Sequence, residues 1–215
     1  TRDFYGLSLS LGPATFDPRP DTETDVSIAR HIAQRLDRAD EGPLRFLDLG
    51  TGSGAIALAL LSELNDAEAI ATDISVEALA VARANADRLG LASRIRFVVS
   101  HWLDQVEGRF DLIVANPPYI PTRDIPDLAP EVARWDPRAA LDGGADGLDA
   151  YRTILGAIGR ALAPGGWVIF EVGAGQAAAV SAMVATHGLI TAPTDWPLLR
   201  DLGGNTRCVV AATPG

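Results

Sequence analysis

The chain reads as an α/β protein built on a parallel sheet, and three observations predict it. Helix-length and strand-length hydrophobic patterns alternate along the chain, separated by short polar or Gly/Pro breaks. No internal repeat or low-complexity tract interrupts them. An apolar strand candidate also runs directly into a glycine-rich turn that opens a helix, as parallel α/β units require. With 215 residues and 47% hydrophobic content, the chain is long enough for one well-buried domain.

The elements follow in order. From Asp21 to about Leu36 a helix is expected: Thr22 and Asp25 have capping-box spacing, and Val26, Ala29, Ile32, Ala33 and Leu36 form an apolar face. Strands are expected at 45–49 (RFLDL), 69–73 (AIATD), 95–99 (IRFVV), 110–115 (FDLIVA) and 167–172 (WVIFEV). Helices fit between them at about Ala55–Leu64, Val76–Leu89, Tyr151–Leu162 and Gln176–His187. The stretch from Pro121 to Gly147 is rich in Pro, Asp and Gly and long for a connection, so it is expected to be mobile or shaped for binding.

Composition narrows the function classes. No apolar run has membrane-spanning length, and the N-terminus TRDFYGLSLS lacks the basic start and long apolar core of a secretory signal. A soluble, cytoplasmic protein with no membrane partner is expected. A single cysteine, Cys208 in the apolar run CVVAA, excludes an internal disulfide and a multi-thiolate metal site. The formal charge of −10 repels a phosphate backbone, which argues against direct nucleic-acid binding.

Two motifs carry chemistry. In LDLGTGSGAIALAL a strand enters Gly50-Thr51-Gly52-Ser53-Gly54 and leaves as a helix; glycines permit a sharp turn and close backbone approach, and the helix N-terminus offers free N–H groups. Asp73 ends the next strand about 20 residues on, where an acid hydrogen-bonds ribose hydroxyls in a dinucleotide or an S-adenosylmethionine site. The second motif is Asn116-Pro117-Pro118-Tyr119 at the end of the strand FDLIVA. Proline fixes its own φ and restricts the residue before it, so Asn116 and Pro117 are held stiffly. Two acceptors result, the Asn116 side-chain oxygen and the Pro117 carbonyl, matching the two N–H donors of a planar –NH2 group. Tyr119 can cover the flat face of that group and place π density near a sulfonium. Methyl transfer to a planar nitrogen needs such aiming, because its lone pair is delocalised.

With these motifs the chain resembles the S-adenosylmethionine-dependent methyltransferases. Among them it is similar to the HemK-type enzymes that methylate N5 of the glutamine in the Gly-Gly-Gln motif of bacterial peptide-chain release factors. The likeness also rests on PRPDTE (18–23), ATDIS (71–75), DPRAAL (136–141), GGADGLDAYR (143–152), LAPGGWVIFEVG (162–173) and DLGGNTR (201–207). It implies a Rossmann-like, seven-stranded class I methyltransferase sheet, mostly parallel with a C-terminal antiparallel strand. By the same likeness Gly50, Thr51, Gly52, Ser53 and Gly54 would line the cofactor loop, Asp73 would bind the ribose and Trp102 would sit against the adenine. Asn116, Pro117, Pro118 and Tyr119 would hold the glutamine amide, with Asn116 also beside the cofactor. The cofactor implied is S-adenosylmethionine, the partners are release factors as protein substrates, and no metal is implied. Residues 1–20 are expected to be the end of a linker from a small helical domain, and 21–215 the methyltransferase domain.

The chain departs from the family where Ser-Asp-Trp is common, carrying Ser100-His101-Trp102 and so lacking that carboxylate. No catalytic role is inferred for Arg19 or Glu23, for which structural salt bridges are the alternative. The competing readings are an amino-adenine (N6) DNA or RNA methyltransferase with the same clamp, a nicotinamide oxidoreductase sharing the glycine loop, and a non-catalytic binding module.

Overall fold

The computed structural model describes residues 1–36, 42–130, 132, 136–192 and 206–214. A short hairpin, β1 (Arg2–Phe4) and β2 (Leu7–Leu9), precedes helix α1 (Glu23–Ala33). Then β3 (Leu44–Leu49), α2 (Ala55–Glu63), β4 (Ala67–Asp73), α3 (Val76–Arg88), β5 (Ile95–Val99) and β6 (Phe110–Ala115) alternate as expected. The C-terminal part adds the helix Asp149–Ile158, β7 (Leu162–Glu171), the helix Ala177–Thr186, β8 (Ile190–Thr191) and β9 (Cys208–Ala212). Seven strands form one sheet in the order β5-β4-β3-β6-β7-β9-β8, with β9 antiparallel to both neighbours and the rest parallel. This is the mostly parallel α/β sheet that the sequence and the family likeness imply.

Period-2 alternation builds a core on each face. Phe46, Leu112, Val114 and Ile169 point to one side, where Val26, Ile28, Leu58 and Ala86 of α1 to α3 cover them. Leu47, Leu49, Ile113, Val168 and Phe170 point to the other, against Tyr151, Ile154, Val180 and Val184. After β5 the chain crosses back to pair β6 on the opposite side of β3. The carboxyl ends of β3, β4 and β6 therefore meet where the strand order reverses, the place at which open α/β sheets bind ligands.

Three sequence expectations need correction. Thr22 does not cap α1: it has helical φ and ψ at the end of a 3-10 turn, Pro20–Thr22, and its hydroxyl donates to Glu171 Oε2 at 2.7 Å. Asp25 is fully buried beneath the sheet instead of completing a capping box. The helix expected over 151–162 stops at Ile158, because Leu162 already pairs with Phe110 and the Phe110 N–H donates to the Ala161 carbonyl at 2.8 Å. Of the DLGGNTR motif, residues 201–205 lie outside the described residues. Among the described residues no helix is long and apolar enough to cross a membrane.

Candidate active site

The glycine loop is held from below. Gly50, Gly52 and Gly54 have φ of 73°, 56° and 85°, which only glycine adopts without strain. The Gly50 and Thr51 N–H groups donate to the Thr72 carbonyl at 2.9 and 2.8 Å, tying the loop to β4. Asp48, buried at the end of β3, accepts from Thr51 Oγ1 at 2.6 Å and from the Ala57 N–H at 3.2 Å through Oδ2. Its Oδ1 is buried without a partner, and burial pushes its pKa up to about 6. Asp73 braces the loop from the side: Oδ2 accepts from the Gly52 N–H and Oδ1 from the Ser75 N–H, both at 2.9 Å. Ser75 in turn caps α3, accepting from the Ala78 N–H at 3.0 Å.

The Trp102 ring lies against the loop. A Cβ at Gly50 would come within 3.2 Å of it, so glycine is needed for this approach as well as for the turn. Trp102 has φ of 50°, and the Ser100 hydroxyl donates to its carbonyl at 2.9 Å. His101 is largely exposed and pairs with Asp104 at 3.5 Å, while also edging the cavity. It does not occupy a buried acceptor position.

The Asn-Pro-Pro-Tyr segment leaves β6 opposite this loop. Asn116 Nδ2 donates to Glu171 Oε2 at 2.7 Å and to Thr22 Oγ1 at 3.2 Å. Its Nδ2 is thereby held on the protein side, so its Oδ1 is the acceptor left for a ligand. The backbone beyond is clamped too. Gln176 Nε2 donates to the Tyr119 carbonyl at 2.8 Å, and Gln176 Oε1 accepts from the Gly173 N–H at 3.0 Å. Gly143 packs flat on the same turn: a Cβ there would sit 2.7 Å from the Pro118 carbonyl oxygen. Burial and the Glu171 charge push the Tyr119 phenol up to about 12.

Between loop and turn lies a cavity of about 680 Å³. Gly50, Thr51, Gly52, Ser53, Asp73, Trp102, Asn116, Pro118 and Tyr119 all line it. Gly54 and Pro117 do not: Gly54 is the N-cap of α2 and faces Leu58 and Ala82, and Pro117 is buried behind the wall. From the 121–147 stretch, Val132, Pro137, Ala140 and Leu141 line the cavity, and Asp142 returns to the strand end through a bridge to Ile120. Sequence reasoning gives Glu171 and Gln176 no role and Thr22 only that of a helix cap. Their signals were Thr22 inside PRPDTE and a lone acid closing the otherwise apolar strand WVIFEV. Arg19 makes the structural ion pair, to Asp136 at 2.7 Å; Glu23 accepts from the Tyr5 N–H at 2.9 Å.

The donor set suits a nucleoside carrying a charged tail: a carboxylate at a strand end, an indole against the loop and glycine backbone open to the cavity, with nothing within 4 Å of a Cβ at Gly52. Among the described residues, no group of His, Cys, Asp or Glu could hold a metal ion.

Comparison with known proteins shows the family. Residues 24–132 match the family model described as methyltransferase small domain. A release factor glutamine methyltransferase of Bradyrhizobium diazoefficiens is 48% identical over 211 residues, 98% of this chain and 69% of that protein. Another, of Agrobacterium fabrum, is 47% identical over 207 residues, 96% of this chain and 70% of that protein. Among solved structures, the release factor-specific protein-(glutamine-N5) methyltransferase of Alicyclobacillus acidocaldarius is similar with a TM-score of 0.53 at 26% identity, covering 92% of this chain and 94% of that one. Identity near one half along almost the whole chain is more than a common fold requires, and the chain belongs to the release factor glutamine methyltransferase family.

Proposed function

We propose that the chain transfers a methyl group from S-adenosylmethionine to the side-chain amide nitrogen (N5) of the glutamine in the Gly-Gly-Gln motif of bacterial peptide-chain release factors, in the cytoplasm. The observation that carries this reading is the Asn116 carboxamide, whose NH2 is tied back to Glu171 and Thr22 while its oxygen remains for a ligand –NH2. S-adenosylmethionine, when bound, supplies an electrophilic methyl group on a sulfonium sulfur. Asp73, Trp102 and the backbone of Gly50 to Ser53 would hold it, on the wall where they already stand together.

The chain's own residues bind and orient. Asn116 Oδ1 accepts an N–H of the substrate amide and so turns the nitrogen's π face toward the cofactor side of the cavity. The Pro117 carbonyl is the second acceptor in this reading; because Pro117 lies behind the wall, Asn116 carries the larger share. Tyr119 covers the amide plane, and its raised pKa keeps the phenol neutral at physiological pH. Alignment of a delocalised lone pair is the catalytic contribution; no base is needed before transfer. A release-factor loop is the substrate and not a nucleic-acid base: the net charge of −10 disfavours a phosphate backbone.

The test is methyl transfer from labelled cofactor to a recombinant release factor beside its Gln→Ala variant at the Gly-Gly-Gln position, with single- and double-stranded DNA as controls. Label on the native factor alone is the expected result. Label on adenine without label on the factor would overturn the substrate assignment.

A further inference from the structure

Behind the Asn116 carboxamide, Thr22 and Glu171 form a polar cluster with it. Glu171, at the end of β7 and 3% exposed, is not part of the cavity wall. One of its oxygens, Oε2, accepts from both Asn116 Nδ2 and Thr22 Oγ1 at 2.7 Å. The Thr22 proton points to Glu171, so Thr22 Oγ1 keeps a lone pair for Asn116 Nδ2 at 3.2 Å. Two donors, Asn116 Nδ2 and Thr22 Oγ1, thus converge on one carboxylate oxygen.

A carboxamide has two orientations that differ only by exchange of O and NH2, and local partners decide between them. Flipping Asn116 would set its oxygen 2.7 Å from Glu171 Oε2, acceptor against acceptor, and leave NH2 facing the cavity. An NH2 there would meet the substrate –NH2 donor to donor. We propose that Glu171 is a positioning residue for methyl transfer, selecting the Asn116 orientation that presents Oδ1 to the substrate amide; the proposal rests on the reading above. By drawing on the Asn116 N–H groups, the carboxylate also polarises the carboxamide and makes Oδ1 a stronger acceptor.

A second buried acid borders Glu171. Asp25 of α1 packs beside it, fully buried, with Oδ1 accepting from Cys208 Sγ at 2.7 Å. As a carboxylate, Asp25 would leave Oδ2 buried without a partner; as a neutral acid it donates a hydrogen bond to Glu171. Burial and the Glu171 charge push Asp25 well above the usual carboxylate range, and burial raises Glu171 as well. The Tyr151 hydroxyl donates to the Glu171 backbone carbonyl at 2.8 Å and fixes the strand end from the opposite face.

The test compares Glu171→Gln and Glu171→Met with wild type, measuring kcat and KM on a release factor, cofactor affinity by calorimetry, and the side-chain 1H–15N amide signals of Asn116. Glu171→Met removes the acceptor at similar volume. We expect kcat to fall about 10²-fold or more with cofactor affinity changed less than about threefold, as loss of an aligning group predicts. Glu171→Gln still offers an oxygen and should recover at least about tenfold of that loss. In wild type the Asn116 amide protons should be slow to exchange and shifted downfield, and lose both properties in Glu171→Met. Wild-type kcat in a folded Glu171→Met would overturn the proposal. So would fast-exchanging wild-type Asn116 signals, a result that does not depend on the methionine variant folding. A wild type that shows the protected signals yet does not methylate release factor would instead overturn the substrate reading alone.

Discussion

Asn116→Asp tests the site at the scale of a single atom. It replaces a donor by an acceptor 2.7 Å from Glu171 Oε2, so two carboxyl groups would share a buried site and one would have to hold a proton. Turnover should collapse, and the loss should ease toward lower pH, where the new acid is protonated and can donate to Glu171. Asn116→Ala should lower kcat about 10²–10³-fold while cofactor binding changes little, since it empties the substrate side of the cavity only. Wild-type rates in either variant would refute the role given to the carboxamide. Asp73→Ala should weaken S-adenosylmethionine about 10- to 100-fold in calorimetry, the range expected for loss of hydrogen bonds to a charged acceptor. Part of that loss should come from the released Gly52 and Ser75 N–H groups, so Asp73→Asn, which can still accept one of them, should fall between. Equal affinity for wild type and Asp73→Ala would remove Asp73 from the site.

Among the elements, the turn after β6 depends on a second turn packed onto it. A Cβ at Gly143 would lie 2.7 Å from the Pro118 carbonyl oxygen and 2.9 Å from Tyr119 Cα, contacts with backbone that cannot swing away. Gly143→Ala should therefore displace the Asn-Pro-Pro-Tyr segment, cost about 1–3 kcal/mol of stability as other overpacked sites do, and cut kcat more than it lowers thermal stability would suggest. An unchanged melting temperature together with unchanged kcat would refute the packing account. Elements of this kind set the limit of what could be read beforehand. The strands at 45–49, 69–73, 110–115 and 167–172 were legible because burial on both faces writes continuous apolar runs, the edge strand 95–99 because of its β-branched and aromatic residues, and the glycine loop because its φ values demand glycine. The misread features were those decided by distant partners. Thr22 looks like a cap locally but bonds across 149 positions to Glu171, and the end of the helix before β7 is set by pairing to Phe110. A lone glutamate in an apolar strand carries no local sign of the amide it orients.

For the whole molecule, buried acids make stability depend on pH in an uncommon direction. Asp48, Asp25 and Glu171 all have pKa values raised by burial. Such an acid keeps its proton longer folded than unfolded, so stability is full below the unfolded pKa near 4 and declines as pH rises toward the folded value. For Asp48, rising from 3.8 to about 6 corresponds to about 3 kcal/mol lost across that window. Asp17, Asp142 and Asp146 are shifted down by hydrogen bonds and work oppositely, at lower pH. Denaturant titrations from pH 4 to 7 should show Asp48→Asn with a flatter decline than wild type; parallel curves would refute the assignment. The same burial gives the lone thiol a use. Cys208, on a strand paired on both edges, is sealed against Asp25, and its ionisation is pushed far upward by burial. Only the thiolate attacks an alkylating reagent, so the folded chain should stay unmodified without any added reductant. Labelling then becomes a stopwatch for the sheet: its rate, followed against urea, counts how often β9 comes away, from a reporter the chain already carries.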